Sequence, residues 1–318
     1  MEDASCQTED EESYDSGQLI NQRWLIVGNN GYVFSVHDFH ECKNETRERP
    51  KFAVKIQRLG SRSAIMENEI NFYQIAKNVS TRRCFSLHHI HTLLDFGFHK
   101  NGAIYFVCPL LGPSLDAVVG NAPDKKLSIC ASLHVAQELL LAISEVHRLG
   151  YTHRNVKPSN FAFGLSNYSN HLYIIDFGRV RVCNNKPISN DQLTRNDRYS
   201  GPLWFTSLNG HLKRVLGRKD DLQSWLYVLA YLASGRLPWF DIVDKQSIAA
   251  SKLEADQNPS SLIGSFPAQI YRVWNYIKNL GEDESPNYGY LMQHLEEALS
   301  TICSSDCTAS HYPFNDVC

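Results

Sequence analysis

Between Trp24 and Val54 the apolar residues come in short runs, broken by Gly28, Gly31 and the polar stretch 41–50. That spacing predicts strands joined by turns. A helical period follows over Ser61–Lys77, with Ile65, Ile70, Tyr73 and Ala76 on one face, and a strand signal returns at Ile104–Val107. Beyond Leu115 the period changes. Ile129, Leu133, Ala136, Leu140 and Ile143 step by alternating fours and threes, and His147, Arg148 and Gly150 supply C-terminal signals. A long amphipathic helix is expected there. Asp221–Ser234 is apolar almost all round and stops at Gly235, as a helix buried in the centre of a domain would. Ala268–Leu280 and Tyr288–Ile302 add two more helical patterns, and no internal repeat interrupts the series. A β-rich part therefore precedes a larger helical part.

A chain of 318 residues suits one large domain or two lobes, and 43% hydrophobic with 20% charged residues is enough to bury a sizeable core. The longest uninterrupted apolar run, Trp225–Ala233, falls well short of the roughly 20 residues of a membrane span, so no membrane association is expected. The N-terminus lacks the basic and apolar regions of a secretory signal, which points to an intracellular protein, cytoplasmic or nuclear. Nine cysteines, an odd number without regular spacing, read as reduced thiols. Cys303 and Cys307 have no second ligand pair at zinc spacing. His88, His89, His91 and His171 are expected as surface or turn residues rather than ligands.

Charge alters the picture at two places. Residues 1–17 hold seven acids and no base, so the formal net charge of −3 hides 31 bases against 27 acids, or +4, over the remainder. So acidic a stretch, poor in large apolar residues, predicts a disordered tail over 1–18. Residues 179–219 hold nine Lys and Arg against Asp191 and Asp197, a local +7, which favours acidic protein partners there. Nucleic acid is not expected, because no aromatic residues interleave with this basic stretch.

The most specific stretch is YTHRNVKPSNFAF, Tyr151–Phe163, followed by IIDFG, Ile174–Gly178. Phosphoryl transfer needs a polar group to orient the attacking hydroxyl, a cation near the γ-phosphate, and an amide with a carboxylate to hold Mg²⁺. Asn155, Lys157, Asn160 and Asp176 supply these in order. Here the chain resembles a eukaryotic protein kinase, whose catalytic loop reads HRDxKPxN and whose metal loop reads DFG. The resemblance implies an α+β, two-lobed fold: a small β-rich lobe over 19–109, a mostly helical lobe over 110–302 and a tail over 303–318. ATP and Mg²⁺ are the implied cofactors. Lys55, in the AVK run Ala53–Lys55, would bind phosphates and pair with Glu69. Asn160 and Asp176 would hold the metal, and Asp221 would anchor the catalytic loop's backbone.

Within kinases, LLGPSL from Leu110, SLNGH from Ser207, KDDLQSWLYVL from Lys219 and GRLPW from Gly235 resemble the casein kinase 1 group. KPSNFAFG and LPWFDIVDK are most similar to its tau-tubulin kinase branch. The departures carry equal weight. Asn155 stands where the family has its catalytic Asp; an amide can hold a hydroxyl but cannot accept its proton. Loss of a positioned base costs a factor of about 10² to 10⁴. In the phosphate-cradling loop, Gly28 and Gly31 align with family glycines while Ile26 falls where another should be, which weakens the grip on nucleotide. Val33 would cover the adenine. Cys108 takes the gatekeeper position, and the Pro109 carbonyl with the Leu111 amide would bond the base. Trp204 replaces an Arg that binds anionic substrates in the family. The expected function is a catalytically impaired kinase domain that keeps ATP and Mg²⁺ and serves as a binding or regulatory module; the alternative is a weakly active serine/threonine kinase.

Overall fold

The computed structural model describes residues 14–30, 33–40, 51–58, 60, 63–82, 86–99, 102–165, 170–183 and 203–302. Gly31, most of the acidic tail, Lys186, Arg195, Arg198 and the C-terminal tail lie outside the described residues. The chain divides into two compact units, one of residues Met1–Met66 with Thr92–Leu110, the other of Glu67–His91 with Leu111–Cys318.

The first unit is a sheet of β1 (Leu19–Ile20), β2 (Trp24–Asn30), β3 (Val33–Asp38), β4 (Phe52–Arg58), β5 (Asp95–Phe98) and β6 (Ala103–Pro109). Its strands run in the order β1-β2-β3-β4-β6-β5, and every pair is antiparallel. Alternation with period two puts Trp24 and Ile26, Phe34 and Val36, Val54 and Ile56, and Tyr105 and Val107 into one buried cluster. Burying these four residue pairs, two residues from each of four strands, on one face supplies the sheet's hydrophobic stabilisation. Gly28 sits inside β2, where the register with β3 shifts between Ile26 and Gly28, as a bulge does. A Cβ there would lie 3.2 Å from Ser35 Oγ, so the bulge is tight.

The helix expected over Ser61–Lys77 is α1 (Ser63–Thr81), which runs one turn further, through Val79 and the polar residues Asn78, Ser80 and Thr81. In the second unit follow α2 (Leu115–Asn121), α3 (Ile129–Arg148), β7 (Tyr151–Thr152), β8 (Phe161–Phe163), β9 (Leu172–Ile174), β10 (Arg181–Val182) and α4 (Leu208–His211). Then come α5 (Arg218–Ser234), α6 (Lys245–Gln257), α7 (Ser260–Ile263), α8 (Ala268–Asn279) and α9 (Tyr288–Ile302). Helix α3 starts where Ser128 Oγ accepts the Ala131 amide at 3.1 Å and ends before Gly150, whose φ is +83°. It is long and apolar enough by composition to cross a membrane, but 67% of the apolar window is buried inside the unit, as in a core helix. Trp225 ties α5 to it by donating Nε1–H to the Ala136 carbonyl at 3.0 Å. Helix α5 stops at Gly235 in the left-handed region, where a Cβ would come within 2.9 Å of the Lys125 carbonyl.

Candidate functional site

The site is built on Asp221, in the first turn of α5 and 1% exposed. Its two carboxylate oxygens accept the backbone amides of His153 and Arg154, each at 2.7 Å, and Oδ2 also accepts His147 Nε2–H at 2.8 Å. Burial alone would raise the Asp221 pKa, but the bond and charge of His147, with the His153 contacts, hold it below the usual carboxylate value. His147, a helix-end signal in the sequence, is instead a buried residue that joins Asp221 to the hydroxyl of Tyr288. This anchoring explains how Arg154 keeps a φ of +63°. A non-glycine residue there costs about 1–3 kcal/mol, and the carboxylate on its amide offsets that cost.

With the loop held, Asn155 and Asn160 converge on Asp176. Asn160 closes the short turn Pro158–Asn160 just before β8, and Asp176 follows β9. The antiparallel pairing of Phe161 with Ile174, extended by the Ile175 amide on the Asn160 carbonyl at 2.9 Å, brings the two together. Asn155 Nδ2 donates to Asp176 Oδ2 at 2.8 Å; Asn160 Nδ2 donates to the Asn155 carbonyl at 2.8 Å and lies 3.4 Å from the same Asp176 oxygen. A carboxylate only accepts, so the amide's NH₂ end faces it, and Asn155 Oδ1 is left buried without a hydrogen-bond partner. A carboxylate beside amide oxygens, one of them unsatisfied, is a hard oxygen donor set suited to Mg²⁺. Lys157, half-buried, precedes this turn and accepts the Asn160 amide on its carbonyl at 3.0 Å.

Behind Asp176, Phe177 stacks on Phe72 with ring centroids 4.2 Å apart and meets Tyr73 and His153 edge-on. Its amide donates to Glu69 Oε1 at 3.2 Å, and Asn68 Nδ2 reaches the carbonyls of Gly178 at 3.0 Å and Val180 at 3.1 Å. Glu69 is 2% exposed and thus holds the backbone beside Asp176. The sequence offered no signal for Asn68. Lys55 and Glu69 fall in different units, so the ion pair expected of them stays an expectation.

In the first unit, Lys55 faces Val33 across β3 and β4, with its Nζ 5.9 Å from the Phe106 ring centre. Ile26, where a loop glycine was expected, is fully buried in the sheet's core. Cys108 and Pro109 end β6 opposite Ala53 and Phe52, half-buried, and Leu111, also half-buried, begins the second unit's helical segment.

Three expectations about side-chain surroundings change. His89 and His91 are buried rather than surface residues, because each has a polar partner inside the fold: Glu145 for His89, and the Tyr73 hydroxyl, at 2.6 Å, for His91. Lys219, counted in the basic stretch, donates to the carbonyls of Lys278 at 2.8 Å and Leu280 at 2.7 Å and so caps α8. Lys252, which the sequence reading did not single out, is fully buried and donates to the carbonyls of Leu203 at 2.7 Å and Thr206 at 2.6 Å. Trp204 is half-exposed, its ring against Phe240 and its carbonyl on Trp239 Nε1.

Residues 27–300 match the protein kinase domain family. A probable serine/threonine-protein kinase of Dictyostelium discoideum is 30% identical over 299 residues, covering 92% of this chain and 57% of that protein. Casein kinase I homolog 1 of Schizosaccharomyces pombe is 26% identical over 262 residues, covering 80% of this chain and 56% of that protein. The chain spans a little over half the length of these curated relatives. With the match running through both units and through the loop that joins Asn155, Asn160 and Asp176, the chain belongs to the protein kinase domain family and has its two-lobed α+β fold.

Proposed function

We propose that this chain is a kinase domain of the casein kinase 1 group, nearest the tau-tubulin kinase branch, in which phosphotransfer is impaired and Mg-ATP binding is kept. The observation that carries the reading is the bond from Asn155 Nδ2 to Asp176 Oδ2. The residue at the position of the proton acceptor is a donor toward the metal-binding carboxylate, and its own oxygen has no lone pair basic enough to take a hydroxyl proton. ATP bound with Mg²⁺ would supply the transferable γ-phosphoryl group. Lys55, Gly28 and Val33 are the residues of the first unit assigned to it, and Asn160 and Asp176 those of the second assigned to the metal. Likeness to the fission yeast casein kinase I homolog supports the group. The domain then works by binding protein partners, acidic ones at the basic segment of residues 179–219.

A second reading, a slow serine/threonine kinase, draws on the unpartnered Asn155 Oδ1, which can still orient a substrate hydroxyl. Two measurements on the same sample decide. A melting scan with Mg-ATP is expected to move upward, since a ligand at a hundredfold excess over Kd stabilises by about 2.7 kcal/mol. A phosphotransfer assay is expected to show turnover far below the ordinary kinase range of about 1–100 per second. Turnover within that range overturns the impaired reading, and an unmoved melting curve overturns nucleotide binding.

A further inference from the structure

Away from the catalytic loop, the second unit gathers His89, Glu138 and His171. One potential ligand atom from each lies within 4.8 Å of the other two. His89 Nε2 stands 3.4 Å from Glu138 Oε2. That is long for an N–H···O bond. It is close to the roughly 3.3 Å that separates two ligand atoms on a tetrahedral zinc with bonds of about 2.0–2.1 Å.

The outer nitrogens are arranged as metal-binding histidines require. His89 Nδ1 meets Glu145 Oε1 at 3.0 Å, and Glu145 is itself fixed by the amides of His88 and His89, each at 2.9 Å. His171 Nε2 donates to the His88 carbonyl at 2.6 Å, which leaves Nδ1 as its lone-pair nitrogen. A carboxylate behind one histidine and a backbone carbonyl behind the other set tautomer and ring orientation, as they do behind zinc ligands. The two rings stack with centroids 4.9 Å apart, and Glu138 and His171 are both partly exposed, which opens a path for an ion.

We propose that His89, Glu138 and His171 form a binding site for a borderline divalent cation, zinc foremost, with water in the fourth position. The ion would tie three segments together: the stretch before Ile90, helix α3 and the start of β9. Since β9 leads directly to Asp176, it would brace the strand that precedes that carboxylate.

Isothermal titration of the full chain with zinc, and cobalt absorption, test the site. The expected result is one ion per chain, a higher melting temperature, and a cobalt spectrum without thiolate charge transfer. His171→Ala and Glu138→Gln should each weaken zinc binding tenfold or more while the metal-free melting temperature stays put. His88→Ala, which keeps the carbonyl, should bind as the wild type does. If Glu138→Gln melts early, His171→Ala decides alone, because that ring is partly exposed. The proposal falls if zinc uptake does not saturate, if His171→Ala binds as the wild type does, or if the cobalt spectrum shows thiolate ligation.

Discussion

Asn155 donates its amide to Asp176 Oδ2 at 2.8 Å, closing the loop after β7 onto the carboxylate assigned above to the metal. A carboxylate at position 155 would set two negative charges at that separation, and they would repel until a cation or a proton came between them. An asparagine there exchanges a proton acceptor for a hydrogen bond to Asp176, with its own Oδ1 left without a partner.

Asn155→Asp is accordingly expected to lower the melting temperature in metal-free buffer and to recover it with Mg²⁺, an effect the wild type lacks. Its phosphotransfer should rise between about ten and a thousandfold, against the factor of about 10²–10⁴ that one general base contributes. The expectation lies near the low end because Ile26, buried in β2, stands where the kinase resemblance places a glycine of the phosphate loop. A radiometric assay beside a melting scan reads both, and no gain in a folded, Mg-ATP-binding variant would make the domain a binding module outright.

Removing the Asp221 carboxylate leaves His147 and two loop amides buried without their acceptor. Asp221→Ala should cost about 3–5 kcal/mol by denaturant titration at neutral pH. Because the folded pKa of Asp221 is depressed, its contribution is complete above the unfolded value of 3.8 and fades only as pH falls below it. The gap between wild type and variant should hold constant from pH 7 to 5; a gap that closes in that range would count against the assignment.

His211 is the second pH-sensitive point. Burial first, and then the charge of Lys252 at 3.2 Å, lower its pKa from 6.5 to about 4. A depressed histidine favours the folded state above its unfolded pKa, so stability should fall as pH drops from 6.5 toward 4. His211→Gln should flatten that part of the stability profile, and an unchanged slope would place the titration elsewhere.

Acidic peptides should bind the basic segment of residues 179–219, losing affinity steeply as added salt shortens the screening length to about 10 Å at 0.1 M. The double variant Lys213→Gln and Arg214→Gln, both exposed, should weaken binding without loss of stability. Lys219→Gln should do the reverse, since its ammonium caps α8. Fluorescence anisotropy across a salt series separates these outcomes, and salt-independent affinity would rule out diffuse charge.

Sequence by itself determined the elements with long, regular apolar periods. Helices α3 and α9 begin and end where the pattern places them, because a 3.6-residue repeat over fifteen or more positions reports one buried face directly. It also placed Asn155, Asn160 and Asp176 in one stretch, which the structure brings together, since the loop and the β8–β9 pair that unite them are local in the chain. Helix α6 escaped, because its buried stripe is Ile248, Lys252 and Ala255, and a lysine reads as a solvent position. Only the tertiary structure brings Lys252 its carbonyl acceptors, 49 and 46 residues away. The same holds for His89 with Glu145, 56 residues apart, and His147 with Asp221, 74 apart. Hydrophobic periodicity records which face of an element is turned inward. Whether a polar group on that face can be buried depends on a partner from a distant segment, and that pairing leaves no local trace.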